Sequence, residues 1–79
     1  MSNFPAVKAK DFIRVISKLG YQLHRQKGSH GIYKNSSGQR VVVPIHSGKD
    51  LKPGTILGMI KDIGLEKTEF VNLLKEIKS

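Results

Sequence analysis

The residues best suited to chemistry lie in one short stretch, QKGSHGIYKN. Its histidine, His30, follows a Gly-Ser pair and lies between Lys27 and Lys34. An imidazole titrates near neutral pH and can therefore accept or donate a proton during catalysis. Nearby cations can hold a phosphate and stabilise negative charge that develops on it. The stretch predicts proton transfer at a phosphate group, although a structural histidine beside a turn is the simpler interpretation.

Further cations and the turn itself could support such a site. Arg25 precedes the histidine in the chain and Arg40 opens a later valine-rich segment, so both are candidates for binding phosphate. The amide of Gly28 and the hydroxyl of Ser29 could hold the histidine or a phosphate oxygen. The alternative is that Gly28 and Ser29 only form the turn, for which both residue types are well suited.

Two other histidines are weaker candidates. Strand alternation places Leu23 and Arg25 on one side and His24 on the other, open side, from which His24 could touch a ligand. His46 follows Val-Pro-Ile and could contact substrate or hold a loop by a hydrogen bond, and the second role is favoured. The spacing of the three histidines matches no familiar metal-ligand pattern, and no carboxylate is an evident further ligand. We therefore expect no metal and no other cofactor.

The segment GKDLKPGT, residues 48–55, is a second candidate for phosphate binding. It opens a predicted helix, and the free amides at a helix N-terminus bind phosphate. Lys49 and Lys52 add positive charge, so we expect both to contact phosphate. Ordinary helix capping, with Pro53 in the first turn, would explain the same residues.

Charge is the strongest feature of the composition. The 79 residues include 14 basic and 6 acidic side chains, a net charge of +8. Residues 1–61 carry eleven basic and two acidic side chains, whereas residues 62–79 carry three and four. This asymmetry is typical of a surface that binds nucleic acid or another polyanion.

Length and residue usage set the broad class. We expect one domain over residues 1–79, and the absence of cysteine excludes disulfides and thiolate metal sites. No apolar run approaches the roughly 20 residues of a membrane span, and the first residues lack the apolar region of a secretory leader. The expectation is a soluble cytoplasmic protein without membrane contact.

Hydrophobic spacing predicts the elements that position these residues. An apolar stripe from Phe12 to Leu19 follows helical intervals and predicts a helix over residues 8–19, ended by Gly20. Alternating or valine-rich segments predict three strands with turns at 27–29 and 35–38. The strands are residues 21–26, 30–34 and 39–45.

Two further helices complete the chain. A polar loop at 46–52 leads to a helix that begins at Pro53 and ends at Gly64, and a last helix occupies about 66–78. The order α-β-β-β-α-α predicts an α+β domain. Its helices cover one face of a three-stranded antiparallel sheet, and the other face is open to a ligand.

Strand alternation leaves the orientation of the central histidine open. His30 and Ile32 share one face of the second strand, whereas Gly31 and Tyr33 share the other. If Ile32 packs into the core, His30 is a buried structural residue. If Tyr33 packs inward instead, His30 and Lys34 face solvent together. The pattern alone does not choose between these arrangements.

Three motifs occur in order within this frame: RQKGSH at 25–30, VPIH at 43–46 and LKPGT at 51–55. Together with the α-β-β-β-α order, they resemble the HicA family of toxins from toxin–antitoxin modules, over roughly residues 7–65. The resemblance implies a double-stranded-RNA-binding-domain-like fold, with the C-terminal helix as an extra element. One departure is Gly31, because many family members have a second histidine or a bulky residue there.

The same resemblance implies an activity and a partner. It implies a metal-independent endoribonuclease that cleaves mRNA, with His30 as the catalytic residue. RNA carries its own nucleophile, the 2′-hydroxyl, so one histidine that moves a proton suffices for a modest enzyme. A HicB antitoxin would neutralise the toxin, and we expect it to mask His30 and the basic face in a higher-order complex.

Two other functions stay open at this point. The same fold without catalysis would be a double-stranded-RNA-binding module that reads A-form shape. A protein-interaction or DNA-binding regulator could also use the basic face as an anchor. The binding module differs from a nuclease at His30, and the regulator would accept duplex DNA as readily as RNA.

Overall fold

The elements of the computed structural model follow the predicted order. The structure describes residues 6–46 and 48–78. Ser47, in the predicted polar loop, and residues 1–5, in which we expect no secretory leader, lie outside the described residues. The sheet has β2 at its centre and both pairings are antiparallel, which confirms the predicted α+β fold. The elements are α1 (Ala9–Lys18), β1 (Gln22–Lys27), β2 (His30–Lys34), β3 (Arg40–Pro44), α2 (Pro53–Asp62) and α3 (Lys67–Lys78).

The first helix, α1, forms because its apolar side chains recur on one face. Phe12, Val15 and Ile16 are fully buried in the core. At the N-terminus, where helix amides lack partners, the buried Asp11 carboxylate accepts a hydrogen bond from the Lys8 amide at 3.4 Å. The helix ends one residue earlier than predicted, so Leu19 lies beyond it and is 39% exposed rather than part of the buried stripe.

The other two helices complete the core. Both α1 and α2 contact β3, and α3 packs against α1 and α2. α2 begins with Pro53 in its first turn, as predicted. The Phe12 and Phe70 rings, on α1 and α3, have centroids 5.5 Å apart. None of the helices in residues 6–46 and 48–78 is long and apolar enough to cross a membrane.

The register of the sheet separates a core face from an open face. The buried residues Tyr33, Val41 and Val43 define the core face, on which the helices pack. The opposite face carries three rows of cross-strand partners, each row running from β1 through β2 to β3. We call this the open face; its rows are Lys27–His30–Pro44, Arg25–Ile32–Val42 and Gln22–Lys34–Arg40.

Strand β1 departs from regular alternation at His24. Leu23 lies opposite Tyr33, but the next partner, Ile32, lies opposite Arg25. His24 is therefore the extra residue of a β-bulge and has no partner in the register. The prediction that Leu23 and Arg25 share a face is wrong, because one inserted residue moves every later side chain of β1 to the other face.

Candidate functional site

A tight turn positions the central histidine at the start of β2. Lys27 and His30 are partners in the register, so Gly28 and Ser29 alone connect the strands. Gly28 has φ +55°, whereas Ser29 does not have a positive φ, the combination found in type II′ hairpin turns. The Ile45 amide donates a 2.6 Å hydrogen bond to the Ser29 carbonyl, which ties this turn to the end of β3.

His30 faces solvent from the open face. Tyr33 packs inward with 7% of its surface exposed, and His30 and Lys34 lie on the opposite side of β2. His30 itself is exposed, and within residues 6–46 and 48–78 no group hydrogen-bonds to its imidazole. The ring nitrogens are therefore available to a ligand, which resolves the orientation that strand alternation leaves open.

The register ranks the predicted cations by their place around His30. Lys27 lies directly across from it in the same row, and Arg25 lies in the next row. Lys34 and Arg40 form the third row, four residues along β2 from His30. At about 3.4 Å per residue this row is roughly 13 Å away. Lys27 is thus beside the imidazole, and Lys34 is placed for a different phosphate.

These cations are not neutralised by carboxylates. Lys8, Lys18 and Lys78 form ion pairs with carboxylates. Each of those lysines lies outside the sheet, and residues 12–49 contain no aspartate or glutamate. The open face therefore carries a net positive charge that can attract a polyanion.

Neighbouring side chains leave no room for a larger residue at Gly31. A Cβ at this buried position would lie 2.9 Å from both Ile45 Cδ1 and Tyr33 Cε1. The Tyr33 ring and the Ile45 side chain thus fill the space that a larger residue would need. Burial raises the pKa of the Tyr33 hydroxyl, so this side chain of β2 stays neutral.

A groove runs from the histidine row toward the start of α2. Pro44, the partner of His30 on β3, lines it together with Lys49 and Lys52. His46 also lines this groove and a second one beside Lys8, and it is exposed. The His46 carbonyl accepts a 3.2 Å hydrogen bond from the Lys49 amide, so its backbone does hold the loop.

Sequence reasoning names most residues of the candidate site and misses the apolar residues of the open face. The turn brings Lys27 beside His30, whereas Lys34 and Arg40 lie in a row four residues away along β2, and His24 lies in the bulge without a partner in the register. The apolar partners Ile32 and Val42 on the open face are not foreseen. The valine run at residues 41–43 of β3 is apolar at every position, so the sequence does not show that the middle valine faces outward.

The described part of the chain offers no group of three histidine, aspartate or glutamate side chains suited to hold a metal ion. His30 has a lysine and a proline as its partners in the register, and neither side chain is a metal ligand of the usual kind. The chemistry that the arrangement supports is proton transfer by an imidazole on a cationic surface.

A comparison with models of protein families identifies the family of this chain. The model of the HicA toxin of bacterial toxin–antitoxin matches residues 9–65, which run from α1 through the sheet to the end of α2. The chain belongs to the HicA toxin family. No curated protein sequence matches it.

Membership of the HicA family has two direct consequences. The chain is a toxin of a toxin–antitoxin system, and it has a cognate antitoxin as a partner. HicA toxins are generally ribonucleases. Helix α3 lies outside the matched residues, yet its Phe70 and Leu74 are almost completely buried in the core. The added helix therefore serves the stability of this HicA chain through its packing on α1.

Proposed function

We propose that this HicA toxin is a metal-independent endoribonuclease that cleaves mRNA, with His30 as its catalytic residue. The observation that supports the proposal is the exposed, uncommitted imidazole of His30 opposite Lys27. A structural histidine would be expected to hydrogen-bond within the protein, because buried or fixed polar groups find partners. An uncommitted imidazole on a positive surface is suited to exchange protons with a bound phosphodiester.

The reaction uses the nucleophile that RNA supplies. The 2′-oxygen bonds to phosphorus as the bond from phosphorus to the 5′-oxygen breaks, which leaves a 2′,3′-cyclic phosphate and a 5′-hydroxyl. His30 carries out one of the two proton transfers, either accepting the proton of the 2′-hydroxyl or donating a proton to the leaving 5′-oxygen, and water exchanges the other proton. Lys27 stabilises charge on the phosphate, and the two remaining open-face rows bind neighbouring phosphates through Arg25, Lys34 and Arg40.

The start of α2 extends this surface. Lys49 and Lys52 bind RNA phosphate at the groove that begins beside Pro44, where helix amides add partial positive charge. Ser29 and Gly28 hold the turn, and their polar groups lie next to the reacting phosphate. His46 lines the groove as an auxiliary contact.

The cognate antitoxin is a HicB protein that masks His30 and the open face. A net charge of +8 with no acidic side chain on the sheet favours an acidic partner, because complementary charge speeds association and excludes wrong partners. Masking predicts that the His30 imidazole reacts with diethyl pyrocarbonate in the free toxin and not in the complex. An imidazole equally reactive in both states would contradict this role.

The proposal is tested by comparing wild type with His30→Ala and with His24→Ala as the matched histidine control. We expect wild-type expression to arrest growth and the purified protein to cut RNA in the presence of EDTA. His30→Ala should cut about 10²–10⁴-fold more slowly and still bind RNA. His24→Ala should retain most activity, because His24 lies in the bulge outside the histidine row.

Two results would overturn the assignment. One is an unchanged rate for His30→Ala, which would mean that the imidazole takes no part in cleavage. The other is cutting of RNA whose 2′-hydroxyls are methylated, since that substrate lacks the nucleophile. RNA binding without any cleavage by the wild type would instead identify a non-catalytic binding module.

A further inference from the structure

The middle row of the open face carries two aliphatic residues, Ile32 on β2 and Val42 on β3, with Arg25 at its β1 end. Val42 is 42% exposed, and its partner Ile32 is half-buried. Pro44, in the next row, continues the apolar surface toward the groove at α2. Single exposed aliphatic residues are common and need no explanation, as with Leu57 on α2, which is 40% exposed. Two adjacent aliphatic residues at the centre of a cationic sheet form a shared apolar surface, which does need an explanation.

The positions of these rows define a site about two nucleotides long. Ile32 is two residues from His30 along β2, a separation of about 6.8 Å, which is close to the spacing of adjacent phosphates in an extended RNA strand. On the far side of Ile32, again two residues away, is the row that carries Lys34 and Arg40. A strand of RNA that crosses the rows would place successive phosphates beside His30, Arg25 and Lys34. A base between these phosphates would then lie over Ile32 and Val42.

We propose that Ile32 and Val42 form the seat for an unpaired base next to the cleaved bond, so that single-stranded RNA is the substrate and this row sets base preference. The inference rests on the nuclease function proposed above. Charge complementarity fixes the occupant, because cations on both sides of Ile32 and Val42 match phosphates on both sides of a base. Proteins that read single-stranded RNA stack unpaired bases on aromatic side chains or arginine planes, and the β-branched side chains of Ile32 and Val42 offer a smaller apolar surface for the face of a base.

A duplex fits the same surface poorly. Paired bases are stacked inside an A-form helix, and its outer surface presents phosphates and 2′-hydroxyls. Val42 and Ile32 would desolvate those polar groups without offering hydrogen bonds in return. The middle row therefore selects against duplex RNA and for a strand whose base can turn toward the sheet.

The test measures binding and cleavage separately. Binding is measured in the His30→Ala background by fluorescence anisotropy, with a single-stranded RNA oligonucleotide and with a fully abasic oligonucleotide of the same length. The variants are Val42→Thr, which keeps the β-branched shape, and Val42→Tyr, which enlarges the packing surface. Leu57→Gln is the control for loss of an equally exposed aliphatic residue.

We expect Val42→Thr to weaken binding of the intact oligonucleotide about 10-fold and Val42→Tyr to tighten it. The abasic oligonucleotide should bind all variants equally, and Leu57→Gln should behave as wild type. In the active protein, which retains His30, Val42→Tyr should also shift the preferred base at the cleavage site. Equal effects of Val42→Thr on intact and abasic RNA would overturn the base seat, as would an effect on antitoxin affinity alone.

Failure of the two proposals gives different results. If the wild type cuts no RNA while the dependence on Val42 and the base is seen, the nuclease proposal fails and the base seat stands. If the wild type cuts RNA but Val42 variants bind and cut normally, the nuclease proposal stands and the base seat is wrong.

Discussion

Replacing Gly31 with alanine is the sharpest test of how the chain supports His30. Gly31 is buried on the core face of β2, directly after the histidine. The new methyl group would lie 2.9 Å from Ile45 Cδ1 and from Tyr33 Cε1. The Ile45 atom ends a flexible side chain and can move, but the Tyr33 ring is buried in the core and has less freedom. The clash with Tyr33 therefore sets the cost.

The expected loss is a balance of two effects. Forcing a methyl group into a filled core site costs about 1–3 kcal/mol in the free energy of unfolding. Alanine recovers about 0.5–1 kcal/mol relative to glycine, because it reduces the conformational entropy of the unfolded chain. With mid-range values of both effects, the net loss is about 1 kcal/mol. For a domain of this size, each 1 kcal/mol lowers Tm by about 4–8 °C.

The assay is urea denaturation of Gly31→Ala with Gly58→Ala as the matched control. Gly58 lies in α2, and a Cβ there meets nothing within 4 Å, so the control should gain about 0.5–1 kcal/mol. Adding Ile45→Val to Gly31→Ala removes one of the two clashing atoms and should restore part of the loss. A Gly31→Ala protein as stable as wild type, with the control behaving as expected, would refute this account of the packing.

Two further predictions concern the turn and the buried tyrosines. Gly28→Ala places an L-residue at φ +55°, so it should lower the free energy of unfolding in urea by about 1–2 kcal/mol and slow RNA cleavage. Gly28→Asn should lower the free energy of unfolding less, because asparagine tolerates a positive φ better. Equal losses for both variants would argue against backbone strain. Burial raises the folded-state pKa of Tyr21 and Tyr33 above the unfolded value of 10.0, so their stabilisation is complete below that pH and is lost as the pH rises through the folded pKa. When unfolding is measured between about pH 9 and 12, the free energy of unfolding should therefore fall less for Tyr33→Phe than for wild type. An equal fall for both proteins would contradict this.

The sequence predicts the elements well because each leaves a local signal. The apolar spacing of α1, the Gly-Ser turn and Pro53 at the start of α2 depend on neighbouring residues only. The bulge at His24 has no such signal, since it depends on how β1 pairs with β2. One unrecognised insertion was enough to assign Arg25 to the wrong face. The sequence therefore identifies the residues of the candidate site but not which of them share a face of the sheet.

The orientation of His30 is decided by residues other than His30. Tyr33 lies opposite Val41, and Gly31 lies opposite Val43, so three apolar side chains can reach the core only if this register is kept. A slip of one residue would bury the imidazole and expose Tyr33, Val41 and Val43 to water. Val41 and Val43 are 1% and 0% exposed, and leaving either in water would cost about 1.5–3 kcal/mol. The core of the sheet thus holds the catalytic candidate in solvent, and variants that loosen β3 should impair cleavage without touching the imidazole.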